Sequence, residues 1–274
     1  MFSDSPNNNN QDRKDEKYPN WKQAVKLSVL LIITHLLAGL VIGVIWGLLA
    51  AGEPPLWFLA SGSMVANLIV IRYALSRTEF SLQKYFGRKI STLSSYLVTI
   101  ILIFGASIVI SQIINISRLA FSADLYQQII DSMLAENIFA LIIVLVILPA
   151  VLEELIFRGI IFSGLLRNSG FKFALLFSSA LFGLIHFNFV QGISAFLTGL
   201  ILGWLYWRYN SLIIPIIAHG FNNLLSIIFN RYIFIPGYSF TSRVNFQPVG
   251  FMLLGFILLG LGIYFAHKNS RLIN

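Results

Sequence analysis

The sequence contains no cysteine. That excludes disulfides, thiolate nucleophiles and thiolate metal ligands, and it leaves the redox compartment unread. Charge is scarce as well: 11% of the 274 residues are charged, against 57% hydrophobic ones. A soluble domain of this length would not stay in solution with that balance. The composition describes an all-α, polytopic membrane protein whose residues 25–274 form one transmembrane domain. Acidic residues are the rarer sign, 11 against 19 Lys and Arg, giving a net charge of +8. Nucleic acid is not the implied partner, because the cations stand in short connections beside apolar spans. Two motifs of hydrolytic enzymes are also missing. There is no Gly-x-Ser-x-Gly elbow for a serine nucleophile and no His-Glu-x-x-His helix for zinc.

What is present begins with a polar stretch, 1–24, holding an Asn run from Asn7 to Asn10. It reads as a disordered cytoplasmic tail. A signal peptide is not expected, since the first apolar stretch starts too late and runs too long. Eight spans of helical length follow, at about 27–51, 54–75, 93–116, 137–166, 171–188, 190–208, 211–232 and 248–266. Glycines at spacing four in the first span (Gly39, Gly43, Gly47) predict a close helix neighbour, as do Gly192, Gly199 and Gly203 in the sixth. The basic and aromatic segment 76–92 reads as interfacial on anionic lipid, and 117–136 as a short amphipathic helix on the opposite surface. Pro236-Gly237 marks a turn. Sixteen of the nineteen Lys and Arg residues fall on one side of this layout, which predicts that both termini are cytoplasmic. A bacterial plasma membrane is the expected location.

The chemistry concentrates in Val151-Leu152-Glu153-Glu154-Leu155-Ile156-Phe157-Arg158-Gly159. On a helix Glu154 and Arg158 share a face with the acid first, the better order for an ion pair, while Glu153 points about 100° away. An ionisable group at membrane depth costs at least about 2.5–3.5 kcal/mol and usually marks function. A buried Glu–Arg staple would explain Glu154 and Arg158 and leave Glu153 over. Three further polar residues stand in apolar helices: His186, and the pair His219 and Asn223 on one face of the seventh span. Each alone could simply hydrogen-bond a neighbouring helix. His35 reads as a satisfied interface histidine. Counted from the cytoplasmic ends of their spans, Glu153 lies about 20 Å in, His186 about 22 Å, and His219 and Asn223 about 12 and 18 Å. Three helices thus bring polar groups near one level.

The set suits attack of water on an amide. A desolvated glutamate serves as general base, an imidazole shares its water, and a second His with an Asn stabilises an oxyanion. A zinc site of Glu153, His186 and His219 is the alternative on the same residues. A non-enzymatic immunity or scaffold protein, with a polar core that only specifies packing, is the reading from another class. A proton-coupled transporter would need polar residues across the bilayer, and the outer half looks nearly bare.

Glu153-Glu154-x-x-x-Arg158, Phe182-x-x-x-His186 and His219-x-x-x-Asn223, in that order on separate spans, resemble the CPBP family. That family comprises the type II CAAX prenyl proteases and related bacteriocin-processing enzymes. The resemblance covers about 137–232 and implies an eight-helix intramembrane protease with an internal catalytic cavity. It makes Glu153 and His186 the pair that activates water, His219 and Asn223 the oxyanion stabilisers, and Glu154 and Arg158 a supporting pair. No cofactor is expected, although the family was long labelled metal-dependent. The implied partners are the bilayer and a membrane-embedded or lipid-anchored peptide, expected to enter by its cytoplasmic end.

Overall fold

The computed structural model describes residues 18–50, 52–77, 92–121, 124–241 and 243–270. Among these there is no strand, and seven helical stretches are long and apolar enough to cross a membrane. The chain is a multi-pass integral membrane protein. In order, the helices are α1 (Trp21–Leu49), α2 (Leu56–Arg77), α3 (Leu93–Ser117), the short α4 (Asp124–Leu134), α5 (Ile138–Leu184), α6 (Phe189–Tyr209), α7 (Ile213–Arg231) and α8 (Val249–Ser270). Leucines and phenylalanines cover much of the outer surface, with Leu48 82% and Leu36 66% exposed. Such a surface is stable only against lipid, and helices are the form that satisfies the backbone there.

α5 departs from a plain helix in two ways. It widens into π-helix over Ile142–Ile147 and Leu155–Phe162, either side of the two glutamates. It also breaks at Gly170, whose φ of 78° and ψ of 174° suit a residue without Cβ, so its two limbs fall where the fourth and fifth spans were expected. α4 is the amphipathic helix expected within 117–136, and Gly237 (φ 71°) makes the expected turn.

The start of α1 differs from expectation. Residues 1–17 of the predicted tail and 78–91 of the predicted interfacial segment lie outside the described residues. Residues 18–24, assigned to the tail, instead belong to the fold. Asn20 and Gln23 form a capping box that starts α1 at Trp21. Tyr18 is buried, its carbonyl accepts from Arg167, and Pro19 lies on Gly164. Polar composition hid an anchor made of backbone groups.

The glycines divide in an unexpected way. A Cβ on Gly39, Gly43 or Gly47 would meet nothing within 4 Å, so this stripe faces away from the bundle. α2 approaches α1 through Gly62, against Ala38 and Ile42. The α6 stripe is a packing face as predicted, with Gly199 against Ser179 and Gly203 against Leu175. The tightest glycine contact between two helices, that of α3 and α8, was not anticipated. A Cβ on Gly105 would run into Leu259 and come 2.8 Å from Gly255 O, and one on Gly255 would come 2.6 Å from Ile108. Gly105→Ala should therefore destabilise the purified protein by about 1–3 kcal/mol, while Gly43→Ala leaves it unchanged. Thermal melting in detergent tests both. Equal melting temperatures for the two variants would contradict the α3–α8 contact.

Candidate active site

Glu154 and Arg158, fully buried, are the ion pair the spacing predicted, with Arg158 Nη1 donating to Glu154 Oε1 at 2.8 Å. Arg158 Nη2 donates to the Gly199 carbonyl at 3.1 Å, and its guanidinium lies 4.7 Å over the Phe182 ring. α6 supplies that carbonyl because Gly199 and Ser179 let α6 press against α5. Neither Gly199 nor the Phe182 face was foreseen as part of the arginine's housing. The motif Phe182-x-x-x-His186 carried the second signal without revealing its use.

His219 joins the pair. Its Nδ1 lies 2.9 Å from the same Glu154 Oε1, and its Nε2 lies 4.0 Å from Glu153 Oε2. The Glu154 contact calls for a hydrogen on Nδ1, which leaves Nε2 as the atom turned toward Glu153. Phe182 stands edge-on to both His219 and His186, with ring centroids 5.9 and 5.2 Å apart. One phenyl ring thus touches the arginine and both histidines. Glu154 Oε2 and Arg158 Nε are buried without a hydrogen-bond partner, so the cluster is not saturated.

The remaining predicted residues are placed differently. Asn223 Nδ2 donates to the Leu145 carbonyl at 2.9 Å, within the first π-helical stretch, where wider turns leave carbonyls open. His186 Nδ1 is 2.8 Å from Phe182 O, which fixes its ring at the end of α5. Glu153 and His186 line one cavity of about 530 Å³. Its opposite wall comes from α1 and α2, including Leu31, His35, Leu59, Ser63 and Asn67. His35 is the satisfied interface histidine expected, with Nδ1 2.8 Å from Leu31 O and Nε2 3.3 Å from Asn67 Nδ2.

Among the described residues, no three His, Asp or Glu side chains converge as a metal site. His219 Nε2 stands 4.0 Å from Glu153 Oε2 while Nδ1 is held by Glu154, which leaves Nε2 as the ring nitrogen open to a ligand.

Two expectations about the bundle fail. The cavity does not face the basic end. Its walls run from mid-α1 toward Leu56, Met133 and Phe187, at the end holding the α1–α2 connection and the turn after α5. Lys22, Lys26, Arg77, Arg167 and Lys172 belong to the other end, where Arg167 reaches Tyr18 O. By helix rise, Glu153 and His186 lie about 20–22 Å from the basic ends of their spans, in the far half of a core of about 30 Å. Nor is that half bare. A second cavity, about 140 Å³, is lined by Ser107, Ser111, Asn115, Asn222, Ser226 and Asn230. Uncharged amides and hydroxyls on two helices carry no charge to mark them in the sequence.

Residues 135–225 match the family model described as type II CAAX prenyl endopeptidase Rce1-like. A Bacillus subtilis (strain 168) protein described as "Putative membrane peptidase YdiL" is 38% identical over 88 residues, which are 32% of this chain and 36% of the relative. The chain thus spans about a third of the length of the curated relative it matches. No solved structure matches significantly.

Proposed function

We propose that this protein is an intramembrane endopeptidase of glutamate type, a reading supported by the match of residues 135–225 to the Rce1-like family model. The observation that carries the reading is the division between the two carboxylates. Glu154 is fully buried and spent on Arg158 and His219, whereas Glu153 is 24% exposed and opens on the cavity it shares with His186. In this reading Glu153 takes a proton from water as it attacks the substrate carbonyl, and His186 orients that water. His219 turns Nε2 toward the reacting centre. With a second proton it becomes a cation, held by Glu154, that can stabilise the oxyanion. Asn223, tied to Leu145 O, braces α7 against α5 and keeps its carbonyl oxygen and second amide hydrogen for the site. Eight passes with both termini cytoplasmic complete the reading, supported by the break at Gly170 and the placement of Lys and Arg. Arg158, buried in the site, no longer counts toward that asymmetry.

The test is a comparison of membrane peptides by mass spectrometry in a deletion strain, wild type and Glu153→Gln. The expected result is a peptide cut only by wild type. An intact phenotype in Glu153→Gln, with no cleavage difference, would favour the immunity or scaffold alternative.

The metal question has its own measurement. The purified enzyme should contain no stoichiometric zinc and should keep its activity in EDTA or phenanthroline. About one zinc per chain, with activity lost on chelation and restored by zinc, would establish the zinc-dependent alternative.

A further inference from the structure

The cavity that holds Glu153 lies at the end of the bundle opposite the basic residues. We infer that it is entered from the extracytoplasmic side, and that its substrate is an uncharged, apolar segment of a membrane-inserted or exported peptide presented from there. The inference rests on the peptidase reading for its chemistry, but not for its entrance.

Four observations lead to it. The cavity wall descends along the first half of α2, from Leu56 through Leu59 and Ser63 to Asn67, so it is deepest near mid-membrane and shallow at the α1–α2 connection. The basic termini of the helices gather at the other end. Arg167 and Asn168 bond the chain entry at Tyr18 and Pro19, and Arg208 bonds the end of α8 at His267. Positive charge keeps such an end in the cytoplasm, which puts the cavity's end outside. Water has a supply there too. The amide-and-hydroxyl cavity of Ser107, Asn115 and Asn222 borders Gln191, as the Glu153 cavity does, so polar groups stand beside the site at the same end.

The wall chemistry selects the occupant. Among the described residues, the lining carries no carboxylate, lysine or arginine apart from Glu153, and it is dominated by Leu, Ile, Val and Met. A charged peptide terminus would be desolvated there without a partner, whereas an extended apolar segment would not. The α1 and α2 wall, residues 31–67, also lies outside the segment 135–225 that matches the family model.

The absence of cysteine makes the test direct. Single substitutions Ser63→Cys and Leu148→Cys report on the cavity, Glu53→Cys on the connection at its end, and Lys172→Cys on the basic end. Each is exposed to a membrane-impermeant charged maleimide in intact cells and in inverted vesicles, with and without Glu153→Gln. The expected result is labelling of both cavity cysteines and Glu53→Cys in intact cells, at least about tenfold above Lys172→Cys, which labels only in inverted vesicles. Cavity labelling confined to inverted vesicles would overturn the inference and restore a cytoplasmic entrance. Failure to label from either side would overturn it as well, because the cavity would then be closed to water. None of these outcomes depends on cleavage. Loss of the peptidase reading would show only in the Glu153→Gln peptide comparison.

Discussion

In cells carrying Glu153→Gln, the peptide that the wild-type protein cuts should persist whole, while the variant folds to the same yield and melts at the same temperature. Two facts set this expectation. Glu153 makes no hydrogen bond that the fold depends on; the imidazole it faces, His219, keeps its Nε2 4.0 Å away. The substitution keeps the shape and size of the side chain and removes only its capacity to accept a proton. General-base catalysis contributes about 10²–10⁴-fold, so the loss of rate should fall in that range or beyond it where the base also positions the water. Turnover and thermal melting measured on the same preparation decide the matter. A Glu153→Gln protein that is unstable would show that this carboxylate holds the bundle together. One that is stable and fully active would remove it from the mechanism.

The reverse pattern is expected at Glu154 and Arg158. Glu154 Oε1 receives both Arg158 Nη1 and His219 Nδ1 in a fully buried position. Arg158→Ala strands that carboxylate, and Glu154→Gln strands the guanidinium and takes the charged acceptor from His219. Breaking a buried pair by removing one partner costs about 3–5 kcal/mol, so either change should lower the melting temperature or the folded yield. Replacing both partners by apolar residues of similar size should cost less than the two single changes added together, because no charge is left unpaired. Activity should fall in all of these variants, since His219 loses its anchor. A Glu154→Gln variant with wild-type stability would show that the arginine is held by the Gly199 carbonyl and the Phe182 face alone.

The difference between the two glutamates was legible in the sequence, because four-residue spacing on a helix is local and survives even a π-helical turn. The span boundaries were legible for the same reason: length and hydropathy are properties of contiguous residues. What could not be read were contacts between distant segments. His219 meets Glu154 across 65 positions, and only the packing of α7 on α5 makes them neighbours. The glycine stripes show the limit well. Small residues at spacing four were evident on α1 and α6, but which stripe meets a partner depends on what stands opposite. The α3–α8 contact uses Gly105 on α3 with Gly255 and Gly262 on α8, and spacing within one helix does not reveal which helix stands opposite. The position of the cavity along the bundle depends on α1 and α2 packing over Glu153, which the charge of the loops does not report. Asn67 and His35 were invisible as a cavity wall, since their helices lie outside the segment that carries the motifs.

One feature bears on how this protein tolerates change. Gly183 and Gly192 face each other across the turn that joins α5 to α6, and a Cβ on Gly183 would come 2.7 Å from Gly192 O. His186 stands between them in the chain, with its ring tied to Phe182 O on the same turn. The histidine's location is therefore dictated by two residues that have no side chain. In a saturation library scored for proteolysis, both glycines should be as intolerant as His186 itself, and alanine should fail at Gly183 as completely as bulkier residues. Ranking positions by chemical reactivity would pass over them; ranking them by crowding at the backbone would not.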